Sequence, residues 1–167
     1  RDVRRLGTIR LLDENNWRLY NSRIGPEPLD PGFTIDEFVS RLSPSRQAIK
    51  KTMMDQKRIA GVGNIYANEA LFRAGIHPRR QSNRLRPQQW DALYRETLAV
   101  LREAIASRGT TLRDYRTGKG DPGGFQFRLL AYGRGGQPCA RCDTLMKTTH
   151  AIDGRASTYC WRCQGRR

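Results

Sequence analysis

All four cysteines of the chain lie within its last 29 residues, at a spacing typical of a metal site. They are Cys139, Cys142, Cys160 and Cys163, in the pattern C-x2-C-x17-C-x2-C. Two close pairs on either side of a hairpin-sized insert can place four thiolates tetrahedrally around one zinc ion. Two disulfides are the alternative, but we find no export signal, and a reducing cytosol disfavours them. Because four thiolates leave no position open for water, we expect one structural Zn2+.

The chain also carries a strong and uneven positive charge, with 31 Lys and Arg, 16 Asp and Glu, and a net charge of +15. Residues 1–40 contain 6 basic and 7 acidic side chains, whereas residues 41–167 contain 25 and 9. Such a field attracts phosphate groups, so nucleic acid is the expected partner. A solvated basic surface, or binding to ribosomes or acidic proteins, is the alternative. Charge alone does not distinguish DNA from RNA.

Residues 61–64, Gly-Val-Gly-Asn, are a second candidate site. Glycines allow close backbone approach, and the free amides of a helix N terminus attract an anion such as a DNA phosphate. An ordinary glycine turn between packed helices is the alternative. The sequence contains no apolar stretch near the roughly 20 residues of a membrane helix, so we expect no membrane partner and a cytoplasmic location.

These sites must be positioned by helices in the middle of the chain and by strands near its end. A glycine- and proline-rich stretch at residues 25–33 predicts a linker, and apolar periodicity after it predicts helices. The predicted helices start at Thr34, at Ser43-Pro44, at Asn64 as cap and at Pro87, the second and last ending near Met54 and Ser107.

The predicted β part is small. Asp153-Gly154 is a good two-residue turn between strands at 145–152 and 155–159, with the cysteine pairs on either side. Two further strands are predicted at 8–12 and 17–20, and because a lone hairpin is marginal in water, we expect them to complete a sheet supplied by residues absent from this chain or by another molecule. The predicted fold class is therefore mainly α with a small β part: a helical domain followed by a four-cysteine zinc-ribbon hairpin.

Residues 55–72 resemble the helix-two-turn-helix signature of the bacterial formamidopyrimidine-DNA glycosylases. Residues 109–115, 132–134 and 159–164 resemble the same family in the same order, so the resemblance covers essentially the whole chain. It implies five segments: residues 1–24 as remnant end strands of a missing β-sandwich that forms the N-terminal catalytic domain, 25–33 as linker, 34–115 as the helix-two-turn-helix domain, 116–124 as a flexible lesion-capping loop, and 125–167 as a zinc finger.

The resemblance also implies roles for individual residues. Arg155 matches the finger arginine that clamps phosphate at the lesion and acts as proton donor in the second strand-cleavage step. Arg4, Arg5 and Leu6 match an intercalation loop, although the family has an aromatic residue where Leu6 stands. The expected DNA-binding residues are Arg4, Arg5, Leu6, Arg46, Lys50, Gly63, Asn64, Tyr66 and Arg155, and the expected lesion loop contains Tyr115, Arg116, Thr117, Gly118, Lys119 and Gly120.

The function implied is binding of damaged double-stranded DNA in base-excision repair, as part of a glycosylase and AP lyase that removes oxidised purines. Family enzymes use an N-terminal proline amine and a neighbouring glutamate, but this chain begins Arg1-Asp2. We therefore expect it to bind DNA without excising a base, and to need an N-terminal catalytic half from the same parent chain or a companion chain. The intact protein is expected to be a monomer at the bacterial nucleoid. The alternatives are a natural, non-enzymatic damage-binding protein and an endonuclease VIII-like pyrimidine glycosylase.

Overall fold

The computed structural model describes residues 9–110 and 123–165, which are mostly helical. Two parts can be distinguished: residues 25–110, here called the helical body, and residues 129–165, called the cysteine hairpin. The fold class predicted from the sequence is confirmed. Within the described ranges the α-helices are α1 (Glu14–Asn21), α2 (Ile35–Leu42), α3 (Ile49–Met53), α4 (Asn64–Arg73) and α5 (Pro87–Ala106), and the strands are β1 (Lys147–Thr149) and β2 (Ser157–Tyr159).

The helical body is built around an aromatic cluster between α2 and α5. Phe38 is fully buried and contacts the rings of Trp90 and Tyr94, with centroids 6.0 and 5.5 Å away. The predicted cap at Thr34 is confirmed, since its hydroxyl accepts a hydrogen bond from the amide of Glu37. Capping and burial of one apolar stripe together hold α2 against α5.

Helix α3 is much shorter than predicted, because the stretch after Ser43-Pro44 is not helical. The carbonyls of Ser45 and Gln47 instead accept hydrogen bonds from the amides of Asn83 and Ser82, both at 3.0 Å. Ala48 then forms an isolated antiparallel bridge with Gln81, and the helix begins one residue later. Pairing with a distant segment therefore overrides the local helix signal.

The prediction of a strand at 17–20 is wrong, because Glu14–Asn21 forms helix α1. Asp13 caps this helix, its Oδ1 accepting from the amide of Asn16 at 2.7 Å, and Glu14 pairs with Arg18 one turn later. Described residues 9–13 form no strand. Local capping and an i,i+4 ion pair thus favour a helix where alternating apolar residues suggested a hairpin.

The cysteine hairpin contains a short antiparallel ladder with Thr148 opposite Thr158. The segment that joins its strands, residues 150–156, has seven residues, so the two-residue turn predicted at Asp153-Gly154 is wrong. A type I′ turn needs positive φ at both central residues, and of this pair only Gly154 has it, at 77°. Arg155 consequently lies in the connecting segment and does not open the second strand.

Among the described residues, no helix combines the length and the apolar character needed to cross a lipid bilayer.

Candidate metal centre and nucleic-acid interface

The four cysteine thiols converge on one point. Their sulfur atoms all lie within 4.8 Å of one another. Cys139 and Cys163 are 3.9 Å apart, and Cys142 lies 3.5 Å from Cys160. Zn–S bonds of about 2.3 Å at tetrahedral angles place sulfur atoms about 3.8 Å apart. The spacing of the thiols therefore fits a single metal ion, as the sequence pattern predicted.

Two tight backbone loops aim these sulfur atoms inward. In the first loop the amide of Asp143 donates to the carbonyl of Cys139, and Asp143 has a left-handed φ of 57°. In the second loop the amide of Gln164 donates to the carbonyl of Cys160, and the amide of Cys163 approaches the Cys160 sulfur at 3.5 Å. Amide groups directed at sulfur favour the thiolate form that binds metal.

The thiols affect one another's ionisation. Hydrogen bonds from Thr144 lower the pKa of Cys142 to about 6. Burial, reinforced by hydrogen bonding to the neighbouring cysteines, raises the pKa of Cys163 to about 12. Burial likewise raises the pKa of Cys160. Cys160 and Cys163 can be thiolates at neutral pH only when a cation compensates their charge, so this donor set suits a divalent, sulfur-preferring metal.

The N terminus of α4 is open. The first amides of any α-helix have no acceptor within the helix. Gly63, at the cap position of α4, provides no side-chain acceptor for them. Gly63 has extended backbone, φ −98° and ψ −177°, that any residue adopts, and nothing lies within 4 Å of the place where a Cβ would be. Neither backbone strain nor packing requires a glycine there. The backbone at this position is therefore open to an approaching ligand.

The loop before α4 is held by Gln56. Its Oε1 accepts from the amide of Gly61 at 3.0 Å, and its Nε2 donates to the carbonyl of Val62 at 3.0 Å. The prediction that Asn64 caps this helix is wrong, because Gly63 is the cap and Asn64 is the first helical residue. A cavity of about 460 Å³ adjoins this loop, lined among others by Glu27, Tyr66 and Gly109.

The other predicted DNA-binding residues have different surroundings. Arg46 and Arg155 are exposed, and the amide of Arg155 donates to Asp153. Tyr66 is half-buried, its ring 5.9 Å from that of Phe125. The intercalation-loop residues Arg4, Arg5 and Leu6, and the lesion-loop residues Tyr115, Arg116, Thr117, Gly118, Lys119 and Gly120, lie outside the described residues.

The structure contradicts the prediction that Lys50 contacts a DNA phosphate. Its side chain is fully buried, and its ammonium donates to the carbonyl of Ala156 at 3.1 Å and to the hydroxyl of Ser157 at 2.7 Å. Burial, opposed by nearby Asp153 and assisted by Arg155, lowers the pKa of Lys50. The lysine joins the helical body to the hairpin, and no part of it is left to meet DNA.

Sequence reasoning missed the buried polar residues of α4. The Glu69 carboxylate accepts hydrogen bonds from three consecutive amides, those of Leu130, Ala131 and Tyr132, at 2.8–2.9 Å. Asn68 contacts the hairpin further along. Asn68 and Glu69 lie between apolar residues in a buried stretch of α4. Because buried polar groups are hydrogen-bonded, a polar pair in such a stretch is a sequence signal for hydrogen-bond partners on a neighbouring element.

The hairpin is attached at its base by further contacts. Gln164 is fully buried, accepts from the amide of Cys160 and donates to the carbonyl of Ile76 at 2.8 Å. The guanidinium of Arg141 lies 4.9 Å from the centre of the Phe72 ring. These contacts join the metal-binding loops to the C-terminal end of α4 and to the segment that follows it.

Known proteins resemble the chain along nearly its whole length. The family model of the formamidopyrimidine-DNA glycosylase H2TH domain matches residues 24–116. The formamidopyrimidine-DNA glycosylase of Thermomicrobium roseum is 47% identical over 164 residues, covering 98% of this chain and 56% of the relative. That of Desulfitobacterium hafniense is 45% identical over 166 residues, covering 98% and 60%. The chain thus spans less than two thirds of the length of these relatives.

Solved structures of such proteins are also similar to the chain. The crystal structure of MutM (Fpg) from Thermus thermophilus matches with a TM-score of 0.83 and 42% identity, over 90% of this chain and 57% of that chain. A structure of MutM in complex with DNA containing carbocyclic 8-oxo-G matches with a TM-score of 0.89 and 33% identity, over 99% and 60%.

Proposed function

Because the chain belongs to the formamidopyrimidine-DNA glycosylase family, we propose that it is the part of a base-excision repair glycosylase that binds damaged DNA. The observation that carries the proposal is that the open N terminus of α4 and the exposed Arg155 belong to two elements joined by buried hydrogen bonds, in a chain of net charge +15. Helix amides and arginine are both phosphate ligands. Relatives of known structure were solved with DNA containing 8-oxo-G or an abasic site.

In this proposal a phosphate beside the damaged nucleotide is bound by the first-turn amides of α4, near Gly63, Asn64 and Tyr66. Arg155 binds a second phosphate, and Arg46 contributes a peripheral contact. Arg4, Arg5 and Leu6 enter the duplex opposite the lesion, and the loop at 116–124 closes over an everted base. The cavity beside Tyr66 supports this arrangement, because a reacting nucleotide must leave the stack.

We propose that the cysteine cluster binds one structural Zn2+, held by Cys139, Cys142, Cys160 and Cys163. When bound, the ion supplies cross-linking and no catalysis, because four protein ligands complete its coordination. The residues of the hairpin then keep Arg155 at a fixed place above the helical body.

We propose that the missing partner is the N-terminal catalytic half, from the same parent chain or a companion chain. Helix α1 buries no residue, and its side chains Trp17, Leu19 and Tyr20 are about half exposed. An eight-residue helix is marginal unless its apolar side is covered. The intact protein would act as a monomer at the bacterial nucleoid, excising oxidised purines, with Arg155 assisting strand cleavage. The chain alone would bind without excision.

Binding is tested by fluorescence anisotropy with a duplex containing an abasic-site analogue, at several salt concentrations. We expect Arg155→Ala to weaken binding about tenfold and to lower the salt slope by about one, because one phosphate contact is lost. The control is Arg95→Ala, an exposed arginine that pairs with Asp91 on α5. Equal effects of the two substitutions, or no affinity for the duplex, would contradict the proposal.

Activity is tested by borohydride trapping on duplexes that contain a natural abasic site or oxidised guanine, since an amine forms a reducible Schiff base only with the C1′ aldehyde of an abasic sugar. We expect no covalent adduct with this chain and an adduct when the N-terminal half is supplied. The reconstituted protein should process oxidised guanine in preference to thymine glycol. Trapping by the isolated chain, or the reverse preference, would refute the assignment of catalysis or of lesion class.

A further inference from the structure

A single buried side chain joins the two elements proposed to bind DNA. Asn68, 1% exposed, donates from Nδ2 to the carbonyl of Asn64 at 2.7 Å and to the carbonyl of Ala156 at 3.2 Å. The same nitrogen lies 3.3 Å from Oδ1 of Asn64, while Oδ1 of Asn68 accepts from the amide of Thr158 at 2.8 Å. One amide group therefore connects the start of α4 with the segment that follows Arg155.

Lys50 holds that segment from α3. The Ala156 carbonyl accepts from both Lys50 and Asn68, and the Ser157 hydroxyl accepts from Lys50. Three consecutive residues, 156–158, are thus bound to the helical body immediately after Arg155. Burial leaves each of these polar groups without water as a substitute, so breaking one contact is costly.

These contacts differ from those at the base of the hairpin. Glu69 and Gln164 bind residues 130–132 and Cys160, next to the metal loops. Glu69 attaches the hairpin to α4, and Gln164 attaches it to Ile76 just after that helix, without touching the segment beside Arg155. The hydrogen bonds from Asn68 and Lys50 to the hairpin go to residues 156–158, the segment beside Arg155. Because Glu69 and Gln164 already attach the hairpin, attachment of the hairpin as a whole does not explain why Asn68 and Lys50 are buried there.

We propose that Asn68, supported by Lys50, is a positioning residue that fixes Arg155 relative to Asn64, so that both reach one DNA molecule without rearrangement. The inference rests on the proposed function, since it takes both residues to contact DNA. A long arginine side chain on a mobile loop loses conformational freedom on binding, and a backbone fixed beforehand avoids part of that loss.

The test is a double-mutant cycle on affinity for the abasic-analogue duplex, with the full zinc-loaded chain. Asn68→Leu keeps the approximate volume and removes every hydrogen bond of the amide. We expect it to weaken binding about tenfold in the parent chain, within the range for directly coupled residues, and less than about twofold in an Arg155→Ala background. Thr97→Val is the matched control, because Thr97 is buried and bonds only within α5.

A second variant keeps the test decisive if Asn68→Leu folds poorly. Lys50→Met removes the ammonium and retains an unbranched chain. It should be coupled to Arg155 but not to Asn64, whereas Asn68→Leu should be coupled to both. Zinc content and thermal unfolding identify variants that are folded well enough to be compared.

The outcomes separate the inference from the proposed function. Additive effects of Asn68 and Arg155 substitutions, with Arg155→Ala itself harmful, would overturn the positioning role and leave DNA binding by Arg155 intact. If Arg155→Ala and Asn64→Ala both leave affinity unchanged, the proposed DNA contacts are wrong and the positioning role fails with them. Non-additivity confined to the predicted pairs supports both.

Discussion

The helical body and the cysteine hairpin bury very different amounts of apolar side chain. The body contains an apolar cluster from several helices that includes Phe38, Leu42, Leu93 and Val100. The hairpin cluster consists of Phe72, Ala131, Met146 and two cysteines, and its largest member, Phe72, belongs to α4. About 35 residues with so few apolar side chains cannot form an independent core.

The hairpin compensates with cross-links of other kinds. Four thiols converge at one end of the hairpin. Buried polar contacts between the hairpin and the body are made by four side chains: Lys50, Asn68, Glu69 and Gln164. Such contacts are directional and hold a strand at a defined place, whereas apolar packing tolerates small shifts. The difference suits the role proposed for the hairpin, which is to place one exposed arginine.

Zinc removal is the strongest way to test this difference. Chelation should unfold the hairpin and leave most helical signal, because structural zinc in small domains contributes about 10–16 kcal/mol of apparent binding free energy. Metal analysis, far-ultraviolet circular dichroism and amide spectra by NMR measure the two parts separately. Zinc added back should restore the hairpin and magnesium should not. Retention of hairpin amide signals after chelation would mean that polar contacts suffice.

A core substitution should destabilise the other part instead. Phe38→Ala removes a fully buried ring in contact with Trp90 and Tyr94, so we expect the free energy of unfolding to fall by about 3–5 kcal/mol. Urea unfolding followed by circular dichroism measures the change. As control, Ile105→Ala, at a 68% exposed position, should change stability by less than about 0.5 kcal/mol. Similar losses at both positions would contradict the assigned core.

Glu69→Gln tests the polar joint between the parts. A glutamine has one carbonyl oxygen in place of the two carboxylate oxygens that accept three amides, so we expect a loss of about 1–3 kcal/mol. Hydrogen exchange should accelerate at the amides of residues 130–132. The exposed Asp91→Asn is the control and should cost less than about 1 kcal/mol. Unchanged exchange at those amides would show that Glu69 does not hold the joint.

The smallest expected effect concerns the ion pair between Arg73 and Glu103, with N–O distances of 2.6 and 2.9 Å. Hydrogen bonding from Arg73 lowers the pKa of Glu103, so the stabilisation is complete above the ordinary carboxyl pKa and is lost as pH falls through the lower folded value. Because Glu103 is partly exposed, Glu103→Gln should cost about 0.5–1 kcal/mol at neutral pH, and the difference should vanish in acid. The free energy of unfolding of the parent chain and of the Glu103→Gln variant, measured across this pH range, checks the prediction. A difference in stability that persists in acid would rule out the ion pair as its source.

Local signals in the sequence were sufficient for features formed by neighbouring residues. The cysteine spacing predicted the thiol cluster, and Thr34 predicted the start of α2. The glycines before Asn64 predicted that α4 starts there, although Gly63 and not Asn64 is its cap. Each prediction depended on backbone geometry or covalent spacing over a few residues, which the chain carries wherever it folds.

Features that depend on distant partners could not be predicted in this way. Pairing with residues 81–83 shortened α3, and attachment of Ala156 to two helices ended the hairpin ladder early. Lys50 is a further example: it has the sequence character of a phosphate ligand, but a distant partner in the hairpin makes it a buried link between the helical body and the hairpin.

The sequence by itself therefore determined the starts of α2 and α5, the thiol set and the basic charge. Only the tertiary structure decided which polar residues point inward and where Arg155 lies relative to α4. The physical reason is that the cost of burying a polar group is set by its partners, and those partners lie 61 to 107 positions away along the chain.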